Sequence, residues 1–240
     1  DDTSKSVQSI YGVWDRLGST KVLKTDLVEQ SFTAFTGDAN VGAGRTLSEN
    51  PVDYGIGAGK KQGWYINFDH DPAGGPSDTS IPMDGINDPQ YPGEKAIRNL
   101  QLRGGIVFVN SVIPKAVLSC TIAAGGAQTA FCPDSGTLLC QSSGGVFDVN
   151  SDGIINGLDL VGNTGPVDTN GDGTIDSSEL DGNGELVASS FFEDSVPTDS
   201  TFLGSDLITQ LSDQTLLIKA TDTSGGINTG RISWTRLSDN

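Results

Sequence analysis

A chain of 240 residues is long enough for one large domain or two small ones, and for a core that forms without metals or disulfides. Thirty-one acidic residues against fourteen basic ones leave a net charge of −17, which excludes a nucleic-acid backbone or an anionic lipid surface as partner and favours cations. With 32 glycines, 10 prolines and many Ser, Thr, Asn and Asp residues, the chain turns too often for long helices, and it contains no apolar run long enough to span a membrane.

The N-terminal DDTSKSVQ lacks the basic and apolar regions of a signal peptide, so a soluble, already processed chain is expected. Alternating or continuous apolar runs bounded by turn residues then predict strands at VQSIYGVW (7–14), KVLKT (21–25), QSFTAF (30–35), GWYINF (63–68), GGIVFVNSVI (104–113), TLLIKAT (215–221) and GRISWTRL (230–237). Trp14, Trp64 and Trp234 each fall within such a run, and core positions are expected for them rather than a sugar- or surface-binding platform. Residues 66–95, rich in Pro and Gly and without periodicity, predict a long surface loop holding the single histidine, His70, which is expected to be exposed. Arg98 and Arg103, next to the GGIVF strand, are expected to be structural or solvated. The last two runs, joined by DTSGGIN, suit an antiparallel hairpin.

Cys120, Cys132 and Cys140 lie in one stretch with neither a CxxC pair nor a neighbouring histidine, which argues for a disulfide rather than zinc. In an oxidising compartment one pair closes a small loop and one cysteine remains, and spacing leaves all three pairings open. The fold class expected is all-β: partial, modified β-propeller blades with inserted EF-hand-like calcium loops, with a closed sandwich or barrel as the alternative. Two four-stranded blades are too few to close a ring, so the chain would be a fragment or would pair its open edges with another chain. The organisation expected is 1–145 for blades with long loops, 146–185 for the calcium-loop insertion and 186–240 for C-terminal strands completing the β-domain.

Residues 148–179 carry the clearest chemistry. In DVNSDGIINGLD, Asp148, Asn150 and Asp152 fall at positions 1, 3 and 5 of a twelve-residue calcium loop, Gly153 at the tight turn, Ile154 offers a carbonyl at 7, and Asn156 and Asp159 stand at 9 and 12. In DTNGDGTIDSSE, Asp168, Asn170, Asp172, Gly173, Thr174, Asp176 and Glu179 take the same roles. Calcium takes six to eight hard oxygens at about 2.3–2.6 Å, and alternate residues of a tightly curled loop point inward to supply them. Asp159 is shorter than the glutamate usual at position 12, which predicts weaker binding at the first loop, and one or two ions are expected in all. The seven carboxylates in the two loops, Asp148, Asp152, Asp159, Asp168, Asp172, Asp176 and Glu179, repel one another until a cation compensates them. The eight residues between the loops include two glycines and a proline, which leaves no room for the exiting and entering helices of a paired EF-hand. Asp181, Asn183 and Glu185 continue the acidic pattern but complete no third loop, and DGNGE reads as a turn.

Taken in order, VQSIYGVWD at 7–15, LVEQSF at 27–32, GWYINF at 63–68, GEKAIRNLQLRGGIVFVNSVIP at 93–114 with a cysteine soon after, FDVNSDGIIN from Phe147 and the terminal GRISWTRL resemble the C-terminal β-propeller domain of PilY-type proteins, the tip-associated adhesins and assembly factors of type IV pili. The resemblance implies a seven-bladed modified propeller with a calcium loop that regulates pilus extension and retraction, and roles in surface attachment and twitching motility. By position, Asp148, Asn150, Asp152, Asn156 and Asp159 match the family's calcium loop, whereas Asp168–Glu179 has no transferable role. The chain spans only the last part of such a domain. An extracellular, pilus-associated location follows, with pilus subunits or another chain completing the sheet and a host or abiotic surface as partners. No HExxH, GxSxG or P-loop pattern is present, so no enzyme is expected. A filament or sheath subunit built on the same β-fold is the alternative, and a secreted hydrolase using calcium for stability alone is a third reading.

Overall fold

The structure is a computed structural model, and it describes residues 7–16, 21–38, 42–68, 93–114, 124–140, 145–148, 155, 159–161, 185–192, 195–204 and 206–221. Within them fourteen strands form three sheets. The protein is all-β, and the described sheets close into neither a barrel nor a ring of blades.

The first sheet has the order β1 (Ser9–Val13), β5 (Gly63–Asn67), β2 (Val28–Gln30). β1 runs antiparallel to β5 with Ile10 opposite Ile66, and β2 runs parallel to it with Val28 opposite Trp64. The central sheet runs β3 (Phe32–Asp38), β4 (Gly42–Leu47), β11 (Glu185–Phe192), β9 (Ala124–Phe131), β8 (Ile106–Pro114), β6 (Lys95–Ala96). β7 (Gln101–Arg103) also pairs with β8, and β10 (Leu160–Val161) with β11. The third sheet is the meander β12 (Pro197–Leu203), β13 (Asp206–Leu211), β14 (Leu216–Ala220). Because β11 lies between β4 and β9, strands from before and after residues 146–184 share one sheet.

One core serves all three sheets. Trp64, Ile66 and Phe68 come from the first, Ile106, Val107, Phe108, Val109, Phe131 and Val187 from the central one, and Leu207 from the third. Buried side chains of this size each contribute about 1.5–3 kcal/mol through removal from water; GGIVFVNSVI becomes a strand covered on both faces, whereas GWYINF buries Trp64, Ile66 and Phe68 and leaves Tyr65 and Asn67 half-buried. The small-residue strands GAGRTL, AGGAQTAF and ELVASSFF carry too little hydrophobic pattern to stand out in the sequence, and here close approach explains the residue choice. A Cβ on Gly126 of β9 would run into the ring of Pro197, the first residue of β12, so a glycine there lets the third sheet lie on the central one.

Two expected elements differ. KVLKT is not a strand: Lys24–Asp26 form one 3-10 turn in which the Asp26 carboxylate accepts the Leu23 N–H at 2.8 Å, a local bond that outcompetes a ladder. The surface loop at 66–95 is too broad, because Ile66 and Asn67 belong to β5, Phe68 and Glu94 are buried, and Lys95 opens β6. Residues 69–92 with His70, and the GRISWTRL half of the C-terminal hairpin, lie outside the described residues.

Candidate cation-binding loops

Of the twelve predicted ligands, Asp148 and Asp159 lie among the described residues. Asn150, Asp152, Ile154 and Asn156 of the first loop, and Asp168, Asn170, Asp172, Thr174, Asp176 and Glu179 of the second, lie outside them. The two described residues are the first and twelfth positions of the first loop, and both are buried: Asp148 is 7% exposed and Asp159 0%.

Their burial follows from what flanks them. Phe147 immediately precedes the loop; it is fully buried, meets Phe108 edge-on at 6.0 Å, and its backbone bridges antiparallel to Thr221 just after β14. Asp159 leads directly into β10, where Leu160 pairs with Leu186 and Val161 with Glu185 of β11. The chain also folds back across the loop: a Cβ on Gly145 would lie 3.5 Å from Ile155 Cγ2 and 3.8 Å from Asp159 Cβ. The loop is thus held at one end by the third sheet and at the other by the central sheet.

A carboxylate withdrawn from water requires hydrogen bonds, a counter-charge or a metal to stay ionised. Hard, anionic oxygens with backbone carbonyls and an Asn amide suit calcium and suit soft metals poorly. Asp148 and Asp159 both have interactions within the chain, and the motif's full donor set, with Asn150, Asp152, the Ile154 carbonyl and Asn156, is of the chemical kind that calcium takes. Among the described residues alone no group of three or more His, Cys, Asp or Glu side chains converges on a metal position.

Elsewhere the structure settles several smaller expectations. Cys132 and Cys140 form a disulfide, and Cys120 lies outside the described residues. The nine-residue loop they close is a junction: the Trp64 indole donates to the Pro133 carbonyl at 3.0 Å, Gln30 Nε2 donates to the Ser135 carbonyl at 3.0 Å, and the Tyr54 hydroxyl donates to the Asp134 carbonyl. Gly136 sits there at φ +69°, where a Cβ would meet the indole at 2.5 Å. Trp64 is core, as expected. Trp14 is not: it stands 43% exposed just past the end of β1. Trp234 is outside the described residues. Arg98 is exposed, and Arg103 is exposed with its guanidinium donating to the Gly204 carbonyl at 3.1 Å.

Sequence inspection missed a buried ion pair. Arg45 of β4 and Glu94 are both fully buried and joined twice, Nη1 to Oε2 at 2.8 Å and Nη2 to Oε1 at 3.0 Å, with the guanidinium 3.6 Å over the Phe32 ring and the Ser111 hydroxyl donating to Glu94. The one available signal was an arginine inside a run of small strand residues, GAGRTL.

The described residues therefore define an all-β protein whose first acidic loop is anchored by buried aspartates at both ends. No protein-family model matches the chain, and neither a curated protein nor a solved structure matches it. What it does has to be read from its own residues.

Proposed function

We propose that this chain is a calcium-binding, non-enzymatic component of the type IV pilus system, part of a PilY-type modified propeller that serves as tip adhesin and as assembly and retraction factor in attachment and twitching motility. The observation that carries the cation reading is the burial of Asp148 and Asp159, first and last donors of one twelve-residue loop, with each end of that loop tied into a β-sheet. Calcium between them joins the central and third sheets through a short, rigid path. The second loop, Asp168–Glu179, has a complete donor set in sequence and offers a site for a second ion. The Cys132–Cys140 disulfide supports an extracellular setting, since such bonds persist in oxidising compartments. The net charge of −17 supports a molecule that gathers cations rather than nucleic acid.

Calorimetry of the full chain with and without calcium tests the cation half. Ion binding to the folded state raises stability by roughly 2.7 kcal/mol at a free calcium concentration about 100 times the dissociation constant. Asp148→Ala with Asp159→Ala removes one binding event, and Asp168→Ala with Asp172→Ala removes the other. A calcium-dependent rise in melting temperature that survives both pairs of changes refutes the loops. Electron microscopy of labelled filaments tests the pilus half: the protein at filament ends supports a tip adhesin, and a regular repeat along the shaft supports a filament subunit instead.

A further inference from the structure

The first sheet leaves an aromatic pair on the surface. Trp14 follows β1, its backbone N–H donating to the Gln62 carbonyl at 2.8 Å, and its indole meets Tyr54 edge-on with centroids 6.1 Å apart and planes at 89°. Tyr54 is 37% exposed and Val13 45%, and Ile56, two residues beyond Tyr54, is 79% exposed. Tyr54 is fixed in place. It is bridged through its backbone to Lys61, and its hydroxyl donates to the Asp134 carbonyl inside the disulfide-closed loop. The turn that carries Tyr54 also holds an exposed ion pair, Lys60 Nζ to the Asp53 carboxylate at 2.6 Å.

We infer that Trp14, Tyr54 and Ile56 form a platform for neutral saccharides. A pyranose presents C–H faces, which stack on an indole, and a rim of hydroxyls, which both donate and accept. Asp53 can accept those hydrogen bonds and Lys60 can donate them. The Tyr54 ring, already held by a backbone bridge and a tethered hydroxyl, loses little freedom on binding, which favours affinity. The net charge of −17 selects against anionic glycans and phosphates, which leaves neutral sugars as the class that fits both the rings and the field. This gives the attachment role a ligand class without resting on the cation loops, with which it shares no residue.

Affinity electrophoresis of the full chain through gels containing a neutral β-glucan, a mannan or a soluble chitin derivative, with a polyuronate as the anionic control, tests it. Titrations with the matching oligosaccharides, followed by tryptophan fluorescence, give the affinities. The expected result is retardation by at least one neutral polymer and none by the polyuronate. Trp14→Ala should weaken binding by at least about tenfold, the loss typical of an anchoring tryptophan. Ile56→Ser, at a largely exposed site, should weaken it severalfold. Both variants should keep the wild-type melting temperature and calcium response. The inference is overturned if no neutral polymer retards the wild type, if both variants bind as the wild type does, or if the polyuronate binds equally well. A concentration-dependent dimer that Trp14→Ala abolishes, without glycan binding, overturns it in favour of a self-contact.

Discussion

Where the sheet of β1, β5 and β2 meets the central sheet, the joint is apolar and lies beside a disulfide-closed loop: Trp64 lies 5.2 Å from Phe131 in an edge-on contact, and its indole donates to the Pro133 carbonyl within the loop that Cys132 and Cys140 close. Where β12–β14 meet it, amides and hydroxyls line much of the joint. Gln128 Nε2 lies 3.0 Å from Asn110 Oδ1 and 3.1 Å from both Ser200 Oγ and Thr209 Oγ1, and Asn110 Nδ2 donates to Ser200 Oγ at 2.8 Å and to the Thr198 carbonyl. Both joints are buried, yet they hold by different physics. Apolar contact scales with area and tolerates small shifts, whereas a buried polar network fixes one register, because each group left without a partner costs about 1–3 kcal/mol. The first acidic loop reaches from the second of these joints to the central sheet, so a cation there would brace the side that lacks a disulfide among the described residues.

The largest expected effect tests the apolar joint. Trp64→Ala removes the biggest fully buried side chain among the described residues and strips the Pro133 carbonyl of its donor, with an expected loss of about 3–5 kcal/mol in denaturant unfolding. Next comes the disulfide: replacing Cys132 and Cys140 by alanine should cost roughly 2–3 kcal/mol for a loop of this length. Hydrogen exchange locates each loss. Amides of β1 and β5 should lose protection first in both variants, and equal loss across β12–β14 would erase the distinction between the joints.

A smaller effect sharpens the polar side. Asn110→Ala should cost about 1–3 kcal/mol, chiefly by orphaning buried partners. A double-mutant cycle with Thr209→Val should give a non-additive coupling, since Gln128 lies between the two residues. The exchange rates of β12–β14 should rise while those of β1 and β5 hold. Simple additivity would mean that the hydroxyls and amides are neighbours without being a network.

How legible these features were in the sequence follows from what each depends on. GWYINF and GGIVFVNSVI were readable as strands because burial writes itself into apolar runs, and TLLIKAT through its apolar run alone, since Leu216 and Ile218 of β14 stand exposed. β4, β9 and β11 were not, since their interior positions are Gly, Ala, Ser and Thr chosen for close approach and polar pairing, which leaves no periodic signal. The long-range partners Arg45–Glu94, Gln128–Thr209 and Cys132–Cys140 depend on topology that spacing alone does not contain. At the cation loops the donor spacing was plain, while the burial of Asp148 and Asp159 depends on Phe147 meeting Thr221 and on β10 meeting β11, contacts that local sequence does not announce.

The smallest expected effects separate the two joints by pH. Tyr54 and Tyr65 belong to the first sheet's side, and burial pushes both phenols up to about 12, helped at Tyr54 by the Asp134 charge and at Tyr65 by the Glu29 carboxylate. With folded values above the unfolded value of 10, the stability these groups contribute is fully present below pH 10 and is lost as pH rises towards 12. Asp213, in the turn between β13 and β14, moves the other way. The Thr215 N–H at 2.9 Å, and after it the Ser195 hydroxyl at 3.0 Å, hold its carboxyl below 3.8, so its contribution is present above that value and is lost as pH falls through the folded value. Base should therefore loosen the β1–β5 side first and acid the β13–β14 turn first. Exchange measured at both extremes checks the order, and Tyr54→Phe should remove one late-titrating phenol from the alkaline absorbance curve. A wild-type curve in which every tyrosine ionises near 10 would show that neither ring is shielded as its contacts require.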